Sequence, residues 1–305
     1  AILPVAEVLG RQRHLGALRD GIITLMPVTM VGAIVVLLKD VILTADSLAG
    51  TKLNSITFYA EVIQPVLDKT ILPVLNQMWW GTLALGIIFT VFTISYNLAG
   101  FYNVDKLSAG VIATVSYLIL TPQAVEGAPW GTLSWTYFNS EAMFTGIIVA
   151  FLSTEIFRWV VQKGWTFKMP PQVPPAVART FKVLLPIMIV TISFAIINFI
   201  VIKIAPGGLH EIVYNVVQGP LTKLGNNVGS VVVFALVSQL LWVMGIHGPN
   251  TIAAVRDTMF AEANNANLAY VAQNGTAWGA PFPVTWGGMN DAFANYGGSG
   301  CTLDR

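Results

Sequence analysis

The spacing of the charged residues constrains this chain more than any other feature. Six stretches carry no Asp, Glu, Lys or Arg, and each can be built into a hydrophobic helix of the roughly 20 residues that cross a bilayer. These stretches are 22–38, 78–102, 107–125, 142–154, 183–202 and 224–255. We therefore predict an all-α polytopic membrane protein, a multi-helix transmembrane bundle with about six spans in this chain. The predicted spans are 21–43, 74–98, 106–122, 142–162, 183–205 and 228–246.

The composition excludes several other classes of protein. Charged residues make up 10% of the chain, whereas a soluble domain carries about 25%. The net charge of +1 provides no basic face for nucleic acid. The single cysteine, Cys301, excludes an intrachain disulfide framework and a cysteine-rich zinc cluster. We expect no metal and no cofactor, and the chain has no Gly-x-x-x-x-Gly-Lys-Ser/Thr loop for ATP.

Basic residues in the loops predict the orientation. With a cytoplasmic N-terminus the inner segments hold nine Lys and Arg residues and the outer segments four, which the positive-inside rule favours. The main cytoplasmic loop is then 163–182, and four prolines in 170–175 hold it extended. It is either a stiff connector between two membrane halves or a docking surface for a cytoplasmic partner. Glu155 and Arg158, three residues apart, are expected to pair near the membrane boundary.

A neutral segment between Glu262 and Asp291 cannot form a simple helix. Glycine and proline recur through it, including Gly279, Pro281 and Pro283, and at that density they break helices. Backbone groups freed inside a bilayer need protein or water partners, so the segment suggests a re-entrant hairpin that lines a polar pathway. The alternative is an extracytoplasmic loop. Its aromatic rings and its Asn side chains suit a neutral sugar, although such rings also form interfacial belts.

The three histidines differ in their surroundings. His247 ends the last neutral span where Gly245, Gly248 and Pro249 break the helix, and an ionisable residue there is a functional candidate, as a hydrogen-bonding group or a general base. His210 follows Gly207-Gly208 and precedes Glu211, and both a structural and a functional role stay open. His14 is predicted to lie on the surface.

Three motifs together resemble a known family. They are PPQVPPAVARTF at 170–181, WVMGIHGPN at 242–250 and GGSGCTL at 297–303. The chain is similar to the membrane component, enzyme IIC, of the bacterial phosphoenolpyruvate-dependent sugar phosphotransferase system. Within it, the lactose, cellobiose and diacetylchitobiose branch fits, and the diacetylchitobiose-specific members fit best.

The resemblance implies a fold of ten transmembrane helices, a dimerising N-terminal half and a sugar-binding C-terminal half with two re-entrant hairpins. We place the scaffold half at 1–182 and the start of the sugar-binding half at 183–305. Members of the family continue past the position of Arg305. Their second hairpin carries an Asn-Glu-Pro motif whose glutamate pairs with the histidine, so we expect this sequence to hold only part of the active site.

The implied function is phosphorylation-coupled uptake of a disaccharide, diacetylchitobiose or one like cellobiose, across the bacterial inner membrane. The partners are the lipid bilayer, a second copy of the chain, and enzyme IIB, which would supply the phosphoryl group from a cysteine with enzyme IIA upstream. Phosphoryl transfer needs IIB, so enzyme status stays open for this chain alone. The alternatives are an ion- or proton-coupled sugar carrier and a non-transporting sensor or structural protein. His247 is the candidate catalytic residue, and the candidate sugar-binding residues are Trp242, Gly248, Asn250, Gly279, Ala280, Phe282 and His210.

Overall fold

The computed structural model describes most of the chain up to Val243 and part of the remainder. The described residues are 12–45, 47–123, 127, 129–139, 142–167, 169–170, 172–218, 227–243, 256, 259–260, 263, 266–267, 270, 276 and 278–289. Within these ranges the regular structure is entirely helical and no strand is formed. The predicted all-α fold class is therefore confirmed.

The structure describes eleven α-helices, which are numbered here in chain order. They are α1 (Arg13–Val36), α2 (Leu48–Leu53), α3 (Gln64–Lys69), α4 (Ile71–Trp79), α5 (Gly86–Phe101), α6 (Lys106–Leu120), α7 (Met143–Gln162), α8 (Pro175–Ile204), α9 (Gly208–Val213), α10 (Val228–Val243) and α11 (Trp286–Met289). Wider π-helical turns extend α1 over Leu37–Leu43, precede α3 over Tyr59–Ile63, follow α4 over Trp80–Ala84 and follow α9 over Tyr214–Gln218. A 3-10 turn covers Trp135–Tyr137.

Helical structure covers most of the described part of each predicted span, although the span 74–98 is divided between two helices. Among the described residues, four helical stretches are long and apolar enough to cross a bilayer, namely Arg13–Asp40, Ile71–Phe101, Met143–Gln162 and Thr180–Ile204. Lys106–Leu120 and Val228–Gln239 are apolar but shorter. The number of spans and the re-entrant hairpin stay predictions.

The main core lies where α1, α5, α6, α7 and α8 pack together. Its largest fully buried side chains include Tyr117, Phe157 and Phe194. Close approach of the helices depends on small residues: a Cβ on Gly21 would lie 2.9 Å from the backbone nitrogen of Ile94. The same five helices thus form one tightly packed bundle.

The long stretch Ile71–Phe101 is interrupted at Leu85, where the backbone leaves helical geometry (φ −107°, ψ 21°). The indole N–H of Trp135 donates to the freed carbonyl of Ala84 over 2.8 Å, and its ring lies 5.8 Å from the Trp79 ring. Buried backbone groups at a helix break need such partners. The turn before α7 therefore stabilises the break between α4 and α5.

Two sequence predictions need refinement here. The proline-rich loop is shorter than expected, because α8 begins at Pro175, where a proline at the first helical position costs no hydrogen bond. The predicted boundary between 182 and 183 consequently falls inside a continuous helix, and the division into two halves stays a prediction. Gly32 packs closely against Thr82 and Leu83 of the same chain.

A second, smaller core lies towards the C-terminus. Val231 of α10, Met259 and Phe260 are buried together. The half-buried rings of Phe234 and Trp286 pack on them, with 6.2 Å between the Phe234 and Trp286 centroids. This core attaches α11 to the middle of α10.

Candidate functional site

The turn that carries three of the candidate sugar-binding residues is held by one amide side chain. Asn267 donates from Nδ2 to the Phe282 carbonyl over 2.7 Å and accepts from the Phe282 backbone N–H over 3.1 Å. It satisfies both backbone groups of Phe282, as a neighbouring strand would do. The sequence singled out this amide only as a member of a polar set, and its clamping role appears only in the structure.

Glycine at position 279 is required by the backbone. Gly279 has a φ of +86°, which L-residues rarely adopt, and an added Cβ would lie 3.0 Å from the Tyr270 hydroxyl. That hydroxyl donates to the Trp278 carbonyl over 3.3 Å. Trp278 itself is 90% exposed, so the turn presents one indole face outward while Ala280 and Phe282 are half-buried.

The structure joins this turn to the helix that leads towards His247. Trp286, a few residues after Phe282, packs against Phe234 of α10 and against Phe260 at 5.8 Å, and the Arg256 guanidinium lies 5.1 Å from the Trp286 ring centroid. Trp242 lies in the last turn of α10, but its side chain is outside the described structure. His247, Gly248 and Asn250 are outside the described residues too, so their placement stays a prediction.

His210 occupies a different place, at the end of the main bundle. It is 8% exposed and its ring lies 4.6 Å from that of Tyr137 and 5.4 Å, edge-on, from that of Tyr117. The Tyr117 hydroxyl donates to the Tyr137 carbonyl. Burial lowers the pKa of His210 to about 4, because the charged imidazolium loses its hydration. The imidazole is therefore neutral near pH 7.

A cavity of about 250 Å³ adjoins His210. Its walls include Tyr137, Ala142, Thr145, Glu211 and Tyr214, and none of its lining residues belongs to the turn around Gly279. Among the described residues, His210 therefore does not share a cavity with the other candidate sugar-binding groups. The sequence did not single out Tyr137 and Thr145. They come close to His210 only because the segment around the start of α7 packs against the segment after α8.

The opposite end of the bundle carries an ionic cluster. Arg158 donates to Glu155 over 2.7 and 3.0 Å, which confirms the predicted pair. Glu155 also accepts from the Tyr102 hydroxyl and lies 3.1 Å from His14 Nε2. The His14 side chain is a third exposed, in line with the predicted surface position, but its ring also packs edge-on against Phe151.

Burial, followed by the hydrogen bond to Glu155, raises the pKa of Tyr102. Within the described residues no group of three His, Cys, Asp or Glu side chains is placed to hold a metal ion.

Comparison with known proteins gives a consistent result. The family model described as "Phosphotransferase system, EIIC" matches residues 19–304. The oligo-beta-mannoside-specific EIIC component of Bacillus subtilis is 32% identical over 276 residues, 89% of this chain and 59% of that protein. The cellobiose-specific EIIC component of Geobacillus stearothermophilus is 32% identical over 311 residues, 99% of this chain and 66% of that protein.

A solved structure is similar as well. The transporter ChbC, the IIC component from the N,N'-diacetylchitobiose-specific phosphotransferase system, matches with a TM-score of 0.76 at 30% identity. The match covers 89% of this chain and 62% of that chain. The present chain thus spans about two thirds or less of the length of these relatives.

Proposed function

This chain belongs to the EIIC family of the phosphotransferase system, and from that premise we propose that it takes up a disaccharide across the bacterial inner membrane and presents it for phosphorylation. The sugar is diacetylchitobiose or a disaccharide like cellobiose. The phosphorylated IIB partner supplies the phosphoryl group, and IIA recharges IIB. The protein acts as a homodimer in the bilayer.

The single observation that carries the proposal is the clamped turn around Gly279 and its attachment to α10. Asn267 fixes the backbone at Phe282, and Trp286 fixes the same segment against Phe234. Because α10 ends beside Trp242 and His247 in sequence, a rigid turn attached to α10 can present backbone groups to a sugar held near that helix end. A preorganised polar site of this kind keeps its geometry without substrate.

The chemistry of the turn favours a neutral polyhydroxylated ligand. Its groups are the exposed Trp278 ring, the backbone at Gly279 and Ala280, and an amide side chain, none of which is charged. An aromatic ring can cover the apolar face of a pyranose, while amide and backbone groups bind its hydroxyls. A sugar fits this set better than a charged metabolite does.

His247 is proposed as the general base for the transfer. It would remove the proton from the sugar hydroxyl while the hydroxyl oxygen forms a bond to phosphorus and the phosphorus–sulfur bond to the IIB cysteine breaks. The cysteine leaves as a thiolate, and the proton resides on the imidazole. An imidazole of ordinary pKa, about 6.5, suits this role near neutral pH. Trp242, Gly248 and Asn250 would flank the sugar.

The orientation proposal places the ionic end of the bundle in the cytoplasm. His14 at the start of α1, Tyr102 after α5 and Arg158 in α7 meet at one end, so the basic residues near them face the same side. Positively charged ends face the cytoplasm in bacterial membrane proteins. The end that carries His210 then faces outward.

Transport assays with the full-length protein test the function. Proteoliposomes supplied inside with phosphoenolpyruvate and the general phosphotransferase proteins, IIA and IIB are expected to accumulate phosphorylated sugar from external cellobiose or diacetylchitobiose, with lactose as a comparison. Uphill accumulation of free sugar driven by an ion gradient without IIB would contradict the proposal, as would saturable binding without any flux.

A further inference from the structure

We propose that the cavity beside His210 is a second saccharide site, which binds one ring of the incoming sugar at the extracytoplasmic end of the bundle. The proposal rests on the proposed function, because the transported sugar is its ligand. It concerns residues separate from the clamped turn at Gly279. It assigns a binding role to the polar side chains that line this cavity.

Two polar side chains that line the cavity, Thr145 and His210, keep hydrogen-bonding atoms that no described protein group uses. Thr145 is 2% exposed and lines the cavity, yet no described group forms a hydrogen bond with its hydroxyl. His210 Nε2 lies 3.5 Å from the Thr121 hydroxyl oxygen. Since Thr121 donates its own proton to the Tyr117 carbonyl, it can only accept from His210.

The tautomer of His210 follows from that contact. With the proton on Nε2, the imidazole leaves Nδ1 as a lone-pair acceptor, and none of the described residues donates to it. Both side chains line the cavity, so Thr145 and His210 can offer a donor and an acceptor to the hydroxyls of a ligand that enters it.

Glu211 adds a second acceptor at the cavity mouth. Its Oε2 accepts from the Gly207 backbone N–H over 2.8 Å, which orients the carboxylate and leaves its other oxygen available. Gly208 has a φ of +73°, and a Cβ on Gly207 would lie 2.9 Å from Glu211 Oε2. The two glycines are needed to fold His210 and Glu211 into this arrangement.

Size and shape select a single sugar ring. The cavity volume of about 250 Å³ is below the roughly 300–1,000 Å³ of pockets that hold drug-sized ligands. Tyr137 provides an aromatic wall beside the neutral imidazole, which suits the apolar face of a pyranose. One ring of a disaccharide can occupy the cavity while the other extends into solvent.

The location makes this an entry site. His210 lies beside Thr121, at the end of α6, and Thr145, at the start of α7, and these helix ends are opposite to the Glu155 cluster. Under the proposed orientation they face the outside. An external sugar would meet this cavity before it reaches the turn at Gly279.

Uptake kinetics with the full-length protein test the proposal. Thr145→Val keeps the shape of the side chain and removes the hydroxyl, and it is expected to raise the KM for external cellobiose, or for diacetylchitobiose if that is the sugar transported, about tenfold with kcat unchanged. Thr154→Val is the matched control, because this equally buried residue of α7 donates within its own helix to Ala150 over 2.8 Å and is outside the cavity. It should keep the wild-type KM.

A second variant and a binding measurement exclude a folding artefact. His210→Phe preserves the aromatic packing and should raise the KM similarly, and the purified variants should elute as the wild type does. Titration calorimetry with methyl β-glucoside should show two ring sites per protomer in the wild type, and the affinity of one of them should fall about tenfold in Thr145→Val. Wild-type KM values in both cavity variants would overturn the proposal, and so would an unchanged affinity at both ring sites in Thr145→Val. Absence of any sugar uptake in the wild type would instead refute the proposed function.

Discussion

The five-helix bundle and the region of α10 with the clamped turn differ in how their residues are held. In the bundle, side chains such as Phe157 and Phe194 are fully buried among several helices. In the C-terminal region, a small core around Phe260 and the single side chain of Asn267 hold the turn. We therefore expect the core of the bundle to contribute most of the stability, and the clamped turn to act mainly on sugar binding. Substitutions in the two regions should therefore change different measurements.

The largest effect is expected from His247→Gln. Glutamine keeps the size and hydrogen bonding of the side chain but removes its basicity, so phosphorylation-coupled uptake should fall about a hundredfold or more. Sugar affinity should stay within about tenfold, or 1.4 kcal/mol, and self-association and melting temperature should not change. A variant that phosphorylates sugar at a near-normal rate would exclude His247 as the base.

A smaller effect on the same function is expected from Asn267→Asp. The carboxylate keeps an acceptor for the Phe282 N–H but loses the donor to the Phe282 carbonyl, and the turn should relax. We expect sugar affinity to fall about tenfold with little change in melting temperature, as measured by titration calorimetry and thermal unfolding. Asn54→Asp is the control, because Asn54 donates to Gly50 and Gln64 outside the C-terminal region. A larger loss of sugar affinity in the control than in Asn267→Asp would contradict the assignment of sugar binding to the clamped turn.

The pH dependence of stability should depend on the bundle. The pKa of His210 is lowered to about 4, so between about pH 4 and 6.5 the unfolded chain binds a proton that the folded chain does not. The contribution to stability is complete above pH 6.5 and is lost as the pH falls through that window. Between pH 7.5 and 5.5 the loss from this residue should be about 1.4 kcal/mol.

His210→Phe isolates that contribution. The difference in melting temperature between the variant and the wild type should change with pH over this window and stay constant above it. A difference that does not depend on pH between 7.5 and 5.5 would show that His210 is not buried in its neutral form.

The smallest effect is expected from Trp135→Phe. Phenylalanine keeps an aromatic ring but cannot donate to the Ala84 carbonyl, which should lower stability by about 1 kcal/mol. Trp165→Phe is the control, because that indole is half exposed and packs on Trp159. Equal melting temperatures for the two variants would show that the hydrogen bond at the helix break contributes nothing.

The sequence predicted features that depend on local pattern. Long uncharged stretches coincide with helices, because the length and apolar character of a span can be read from the sequence without knowing what the helix packs against. The Glu155–Arg158 pair follows from helical spacing. The positive φ at Gly279 fits the expectation that the segment after Glu262 is broken.

Features that combine distant segments could not be predicted in this way. The ring of His210 contacts Tyr117 and Tyr137, and His14 contacts Glu155, through packing that no periodicity encodes. The start of α8 was misjudged for a local reason. Pro175 ends the extended proline-rich segment and is also the first residue of α8. A proline suits both positions, so the sequence alone does not show where the helix begins.

The break at Leu85 has a consequence for how the protein fits its bilayer. A straight helix of the 31 residues Ile71–Phe101 would be about 46 Å long, well beyond the roughly 30 Å of the hydrocarbon layer. A rigid rod would have to tilt steeply and would take the packed bundle with it. Because the backbone leaves helical geometry at Leu85, α4 and α5 need not share one axis. A stretch longer than the hydrocarbon layer can therefore be accommodated without tilting the packed bundle.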